Sequence, residues 1–195
     1  MGRTEQKAET RERILASAVR TLRERGISAA SVQEVMKGAG LTVGGFYAHF
    51  ASKEALVDEA IRAGMRDARA KMAPQRPTAA ERLDGVLTRY LSRRHRDSEP
   101  LCPLPSIAGE IASGNARHEA VLAEELAAQA EALATLLPPG RGRRKRALGT
   151  LAVLVGGLTL ARATRGTPLS DEILEACRAF ARSALGLKQE ENQHE

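Results

Sequence analysis

The stretch S-V-Q-E-V-M-K-G-A-G-L-T-V-G-G-F-Y-A-H-F-A-S-K, residues 31–53, decides the fold. Ser31 and Glu34 have the Ser-x-x-Glu spacing of a capping box, so a helix is expected to start at Val32 with its first backbone donors satisfied from both sides. Gly38 and Gly40 stop it. Leu41 can pack under the turn that follows, Thr42 is placed to cap a second helix from Val43 to about His49, and Ser52 is placed to cap a third. Two short helices joined over a tight Gly-containing turn make a helix-turn-helix, whose second helix is slim enough to enter the major groove of duplex DNA.

Upstream, Ile14, Leu15, Ala18, Val19 and Leu22 recur at helical spacing from Thr10 onward, and Gly26 sits where a left-handed cap is wanted. This first helix is expected to buttress the two that follow. Residues 1–9 are polar and read as a disordered segment, either a solvated tail or an arm that brings Arg3 and Lys7 to DNA. Downstream, Lys53 to Met72 makes a longer helix with Leu56, Ala60, Ala63, Met65, Ala68 and Met72 as apolar contacts. Pro74 and Pro77 end it at the clearest break in the chain.

The run from Thr10 to Ile61, and most specifically F-Y-A-H-F-A-S-K-E-A-L at 46–56, resembles the DNA-binding domain of the TetR family of bacterial one-component repressors. The resemblance covers about a quarter of the chain; the remainder matches that family only in length and in its helical pattern. It implies an all-α fold with an N-terminal three-helix DNA-binding domain (1–52), a connecting helix (53–73) that transmits between the halves, and a larger ligand-binding and dimerisation domain (74–195).

Roles within the reading unit follow from direction and chemistry. Phe46 and Phe50 lie four apart and pack inward. Tyr47 and His49 fall off that face, where a phenol and an imidazole donate to phosphate oxygens, and Lys53 adds a cation; the resemblance implies the same for these three. Base edges fall to the N-terminal turn, Thr42, Val43, Gly44 and Gly45. The resemblance adds an early residue of the preceding helix, Gln33 here, and Ser31 at the cap of that helix is a further candidate contact. Gln pairs with adenine, and Val43 suits a thymine methyl. Gly44 and Gly45 each cost roughly 1 kcal/mol against Ala in a helix, which leaves two readings, close backbone approach to DNA or a loose turn.

In the second half, Thr78 and Glu81 repeat the capping box and open a helix through Leu83, Val86, Leu87, Tyr90 and Leu91 to the basic cluster Arg93–Arg96. The three prolines of D-S-E-P-L-C-P-L-P-S, 97–106, oppose a helix there. Cys102 lies within it. The segment resembles a subset of the family in which a cysteine senses electrophiles or oxidants, with Arg94, His95 and Arg96 available to lower the thiol pKa; the other reading is a small buried hydrophobe. A short helix from Ser106 to Ala112 precedes a break at Gly114-Asn115, and an Ala-rich helix from Ala116 to Leu137 follows. R-G-R-R-K-R at 141–146 reads either as a nucleic-acid patch or as a solvated first turn facing Glu119, Glu124, Glu125 and Glu131.

The run from Ala147 to Arg162 is apolar nearly all round, and its most apolar part, 15 residues to Ala161 with three glycines, is short for a membrane span. A last helix, opened by Ser170 and Asp171, carries Ile173, Leu174, Cys177, Phe180, Ala181, Ala184 and Leu185. Leu151, Leu154, Val155, Leu158, Ile173, Cys177, Phe180 and Ala184 are the expected interface of a homodimer, built as a four-helix bundle with the symmetry mate.

Composition sets the outer bounds. Aromatics make up 3% of the 195 residues, there is no Trp, and the net charge is +6. The first 60 residues carry nine Lys/Arg against eight Asp/Glu, so DNA binding depends on where the cations sit. Cys102 and Cys177 lack metal or disulfide spacing, and no apolar leader precedes them, which points to a reduced, cytoplasmic setting without membrane association. His49, His95, His118 and His194 are scattered; no catalytic triad, metal set, cofactor loop or cofactor is indicated, so an enzyme is not expected. A purely architectural DNA-binding protein would not need so large an apolar C-terminal half. The expected function is a transcription regulator, a repressor released from a palindromic double-stranded operator by a small-molecule effector. Tyr90, His95, His118 and Thr159 are candidate polar points of its pocket, and a thiol sensor acting through Cys102 is the alternative.

Overall fold

The computed structural model describes residues 2–72, 74–97, 102–114 and 116–187. Among them there are helices and turns and no strand. They fall into two compact units.

The first unit comprises the described residues of 2–68 and 102–125. Helix α1, Arg3–Arg25, begins seven residues before Thr10. The polar run 3–9 is therefore helix, exposed throughout, rather than the disordered segment expected. Glu, Gln, Lys and Ala are strong helix formers, and the Gly2 N–H donates to the Glu5 carboxylate at 2.8 Å. Helix α2, Val32–Gly38, is capped by Ser31, whose Oγ accepts from the Glu34 N–H at 3.2 Å. The reciprocal half of the box is replaced: the Glu34 carboxylate accepts from Arg25 at 3.1 Å.

Helix α3, Lys53–Met72, has the limits read from the sequence, with Ser52 Oγ accepting from the Ala55 N–H at 3.1 Å. Helix α6, Leu104–Ala112, starts two residues before Ser106, because Pro105 occupies the first turn, where a missing N–H costs nothing. A single 3₁₀ turn, Ala116–His118, leads into α7, Glu119–Ala134, shorter than the 116–137 helix expected. Asn115 and residues 98–101 lie outside the described residues.

The pairing of these elements was not foreseeable from local sequence. His118, 3% exposed, donates from Nδ1 to the Asp58 carboxylate at 2.7 Å; Arg117 meets Glu54 at 3.1 Å, and Arg62 meets Glu124 at 3.4 Å. The start of α7 is thus fastened to α3. Residues 104–125 accordingly pack with the N-terminal helices, although they come half a chain later.

The second unit comprises the described residues of 69–97 and 126–187. Helix α4, Ala79–Tyr90, carries the complete Thr78/Glu81 box, both bonds at 3.1 Å. It ends at Leu91, and the basic cluster forms a separate short helix, α5, Arg93–Asp97. Helices α8, Arg143–Ala163, and α9, Pro168–Leu185, pack side by side. Leu83, Leu87, Leu133, Leu137, Leu154, Leu174 and Leu185 belong to their shared core with α4 and α7. α8 is long and apolar enough to cross a membrane by length and composition, longer than the 15-residue run suggested. Ala147, Leu151, Leu154, Leu158 and Ala161 are nonetheless buried inside the unit.

Ser170 does not cap α9. Thr167 stands at the N-cap, and Ser170, fully buried, donates to the Ala161 carbonyl at 2.7 Å and accepts from Arg96 at 2.8 Å. Arg96 also binds Asp97 and Asp171, both at 2.7 Å. The 141–146 cluster follows the solvated-turn reading in part. Arg144 pairs with Glu131, whereas Arg143 and Arg146 donate to the carbonyls of Ala134 and Pro138.

Candidate nucleic-acid interface

The reading segment, Val43–Ala48, is a 3₁₀ helix rather than the α-helix expected. Gly44 and Gly45 weaken the α-helical ladder, and Thr42 takes the N-cap position with no hydrogen bond from its side chain. Phe46 anchors the segment. Fully buried, it stacks on Phe50 at 5.8 Å and meets Tyr47 edge-on at 5.2 Å. The Arg11 guanidinium lies 4.6 Å over the Phe50 ring and binds Glu59 at 2.6 Å, tying the base of the turn to α1 and α3.

The end of α2 is held from α1. Arg13 donates to the Ala39 carbonyl at 2.7 Å and Arg20 to the Gly38 carbonyl at 3.1 Å, satisfying C-terminal acceptors that the helix leaves open. Gly38 does more than stop α2. A Cβ there would stand 2.4 Å from Ser17 Oγ, so its absence permits the close α1–α2 crossing. Gly40, at φ +68°, makes the reversal.

On this base the expected contact residues present an open edge. Tyr47 is 73% and Val43 47% exposed; Gln33, Thr42, Gly44 and Gly45 are exposed, and Ser31, His49 and Lys53 half-buried. An added Cβ at Gly44 would meet nothing within 4 Å. Beside Lys53, the Glu54 carboxyl is held below its usual range, first by backbone hydrogen bonds, then by Ser52 and by Arg117. These nine residues share one unit and cluster at its α2–turn–α3 corner.

The proposed pocket residues are divided between the two units. Tyr90 and His95 form an edge-to-face pair 4.7 Å apart in the second unit. Thr159 is exposed and donates to the Val155 carbonyl of its own helix at 2.8 Å. His118 and Cys102 belong to the first unit. Cys102 is 4% exposed, and Arg96, one of the cations invoked to activate it, is engaged with carboxylates of the second unit. Of the interface residues, Leu151, Leu154 and Leu158 are buried inside one chain, Val155, Ile173 and Cys177 are half-buried, and Phe180 and Ala184 are exposed. The sequence reading missed the open apolar residues Leu148, Leu160 and Leu169, 42%, 57% and 51% exposed. One apolar stripe serves an internal and an external contact alike, so periodicity alone does not separate them.

His95 makes a pH prediction. It is 5% exposed, and burial, opposed by its hydrogen bond to the Tyr90 carbonyl and aided by Arg162 and Arg89, lowers its pKa below the usual value. Below about pH 6.5 the unfolded chain binds a proton that the folded chain refuses. Stability is therefore whole above that pH and declines below it, by at most about 1.4 kcal/mol per pH unit, until the folded-state pKa is reached. Thermal unfolding between pH 7.5 and 5.5 checks this. His95→Gln should flatten the dependence, and an unchanged slope would remove His95 as its source.

Comparison with known proteins bears on the same corner. The family described as "Bacterial regulatory proteins, tetR family" matches residues 14–60. The HTH-type transcriptional repressor KstR2 of Mycobacterium tuberculosis is 44% identical over 52 residues, 27% of this chain and 26% of that protein. The chain thus spans about a quarter of the length of the curated relative it matches. Over nearly the whole chain the fold resembles a TetR-family transcriptional regulator from Cytophaga hutchinsonii, with TM-score 0.72, 20% identity, and coverage of 95% of this chain and 98% of that one. It also resembles the reduced form of Escherichia coli NemR, with TM-score 0.75, 18% identity, and coverage of 90% and 97%. Residues 14–60 match the TetR family of bacterial regulatory proteins, and the fold over nearly the whole chain is the one found in solved structures of TetR-family regulators.

Proposed function

We propose that the protein is a sequence-specific DNA-binding transcription regulator, acting as a homodimeric repressor that a small-molecule effector releases from a palindromic operator. The observation that carries this reading is the exposed Tyr47–Val43 edge set on the buried Phe46–Phe50 pair. A side chain as large as Tyr stays 73% exposed while its neighbour is fully buried, which suits a surface made for another molecule. Tyr47, His49 and Lys53 hold phosphates; Gln33, Thr42 and Val43 face base edges, with Gly44 and Gly45 allowing the backbone close.

Dimerisation uses the outer faces of α8 and α9. Leu148, Leu160, Leu169 and Phe180 are open there, and Phe180 lines an apolar hollow of about 300 Å³ with Val153, Ala181, Ala184 and Leu185. Two copies joined in this way would offer two reading turns to successive major grooves, roughly 34 Å apart. The effector acts through its affinity difference between the DNA-competent and incompetent states. The Tyr90–His95 pair is the polar feature of the second unit best suited to it.

The test is a fluorescence-anisotropy titration on DNA flanking the protein's own gene, at fixed salt, with random DNA as competitor. Saturable binding of two protomers per palindrome is expected. Tyr47→Ala should weaken it about tenfold, as the loss of one good contact does, without changing the melting temperature. Equal affinity for operator and competitor would sink the reading.

A further inference from the structure

Helix α6 is bonded to the end of α1 and the loop after it through Ser106 and Glu110. The Glu110 carboxylate accepts from the Ile27 N–H at 2.8 Å and from the Ser28 N–H at 2.8 Å, and the Ser28 hydroxyl donates to it as well. One turn earlier, Ser106 Oγ donates to the Arg23 carbonyl at 2.7 Å. The end of α1 has a local cap in the Gly26 N–H, which donates to the Leu22 carbonyl at 3.1 Å, and its Arg23 carbonyl and the loop leaving it are closed in addition by groups some 80 residues away.

Gly26 makes room for this arrangement. Its φ is +81°, and a Cβ there would lie 1.7 Å from Glu110 Oε1 and 3.1 Å from the Ser106 carbonyl oxygen. The loop then runs as a fixed chain of bonds toward the reading turn. The Ala30 N–H donates to Ile27 O at 3.0 Å, Ser31 N–H donates to Ala29 O at 2.9 Å, and Ser31 Oγ caps α2. Ile27 and Ala30 are buried at 3% and 0%. Wherever Glu110 holds residues 27 and 28, it sets where α2 starts, and α2 in turn seats the Val43–Ala48 turn.

We infer that Glu110 is a positioning residue for DNA recognition, its carboxylate clasping the Ile27 and Ser28 amides and so fixing α2 and the reading turn in register. The inference rests on the DNA-binding reading for its function and on hydrogen exchange for its mechanism, so the two fail separately. Glu110→Ala and Glu110→Gln are compared with the unaltered full-length protein. Glu110→Ala should speed exchange in peptides covering 26–31 and also 43–48. It should lower the ratio of operator to random-DNA affinity by about tenfold, the scale of one orphaned buried donor, while random-DNA affinity holds.

Glu110→Gln, which retains one acceptor oxygen, should recover part of both effects. Faster exchange at 26–31 with 43–48 unchanged would overturn the inference, even if the protein showed no operator preference with which to score specificity. So would a fall in operator and random-DNA affinity by the same factor, which is the mark of general destabilisation.

Discussion

Phe46→Ala is expected to cost the first unit about 3–5 kcal/mol, the range for emptying a large buried aromatic site. Phe46 is fully buried and touches both other aromatic rings of the reading unit. The site cannot collapse easily, because Phe50 is pinned beneath Arg11, which is itself bound to Glu59. The 3₁₀ turn has little stability of its own, with two glycines and no side-chain cap. Operator binding should therefore vanish at temperatures where the second unit is still folded. Urea unfolding followed by tyrosine fluorescence in a Tyr90→Phe background reports Tyr47 alone, since these are the two tyrosines of the chain. A shift of the Tyr47 transition below about 1 kcal/mol would mean that Phe46 is dispensable as an anchor.

The second large effect separates adjacent glycines in α8. A Cβ on Gly157 would stand 2.8 Å from Cys177 Sγ, 3.0 Å from Cys177 Cβ and 3.1 Å from Leu91 Cδ2, whereas on Gly156 it would meet nothing within 4 Å. Gly157→Val forces α8 away from α9 and should cost about 3 kcal/mol, the upper end for overpacking. Gly156→Ala should instead gain up to about 1 kcal/mol from helix propensity. Denaturant midpoints at equal slope give both signs. Adding Cys177→Ala should restore part of the Gly157→Val loss, since residues in contact are not additive; no restoration would place the clash elsewhere.

What the sequence revealed follows the range of the interaction responsible. The Thr78/Glu81 box formed in full because both partners lie within one turn and nothing competes. In Ser31/Glu34 only the hydroxyl half formed, since Arg25 in the preceding helix draws the carboxylate away. The limits of α3 were legible from Ser52 and the prolines, and the corner holding Ser31 to Lys53 was legible from caps, glycines and aromatic spacing. The 3₁₀ form of the reading turn was not, although Gly44-Gly45 carried the signal. Glu110, Ser106, Arg13 and Arg20 were invisible as site-shaping residues because each acts on a backbone group far away in sequence. Gly26 offered the only local hint, a cap glycine that also had to leave room for something. In α8, Leu151, Leu154 and Leu158 were legible as apolar but not as internal, since a helix stripe does not record which neighbour covers it.

The membership of residues 104–125 in the first unit bears on how such regulators are recombined. A hybrid that exchanges residues 1–52 for a relative's, to redirect it to another operator, cuts through Glu110–Ile27, Glu110–Ser28 and Ser106–Arg23 at once. The transplanted head would still offer backbone groups to the host's Glu110 and Ser106, but a residue other than Gly at position 26 would collide with that Glu110 and a residue other than Ser at 28 would lose the hydroxyl bond. The exchangeable module is discontinuous: residues 2–68 travel with 102–125, and the host contributes the rest.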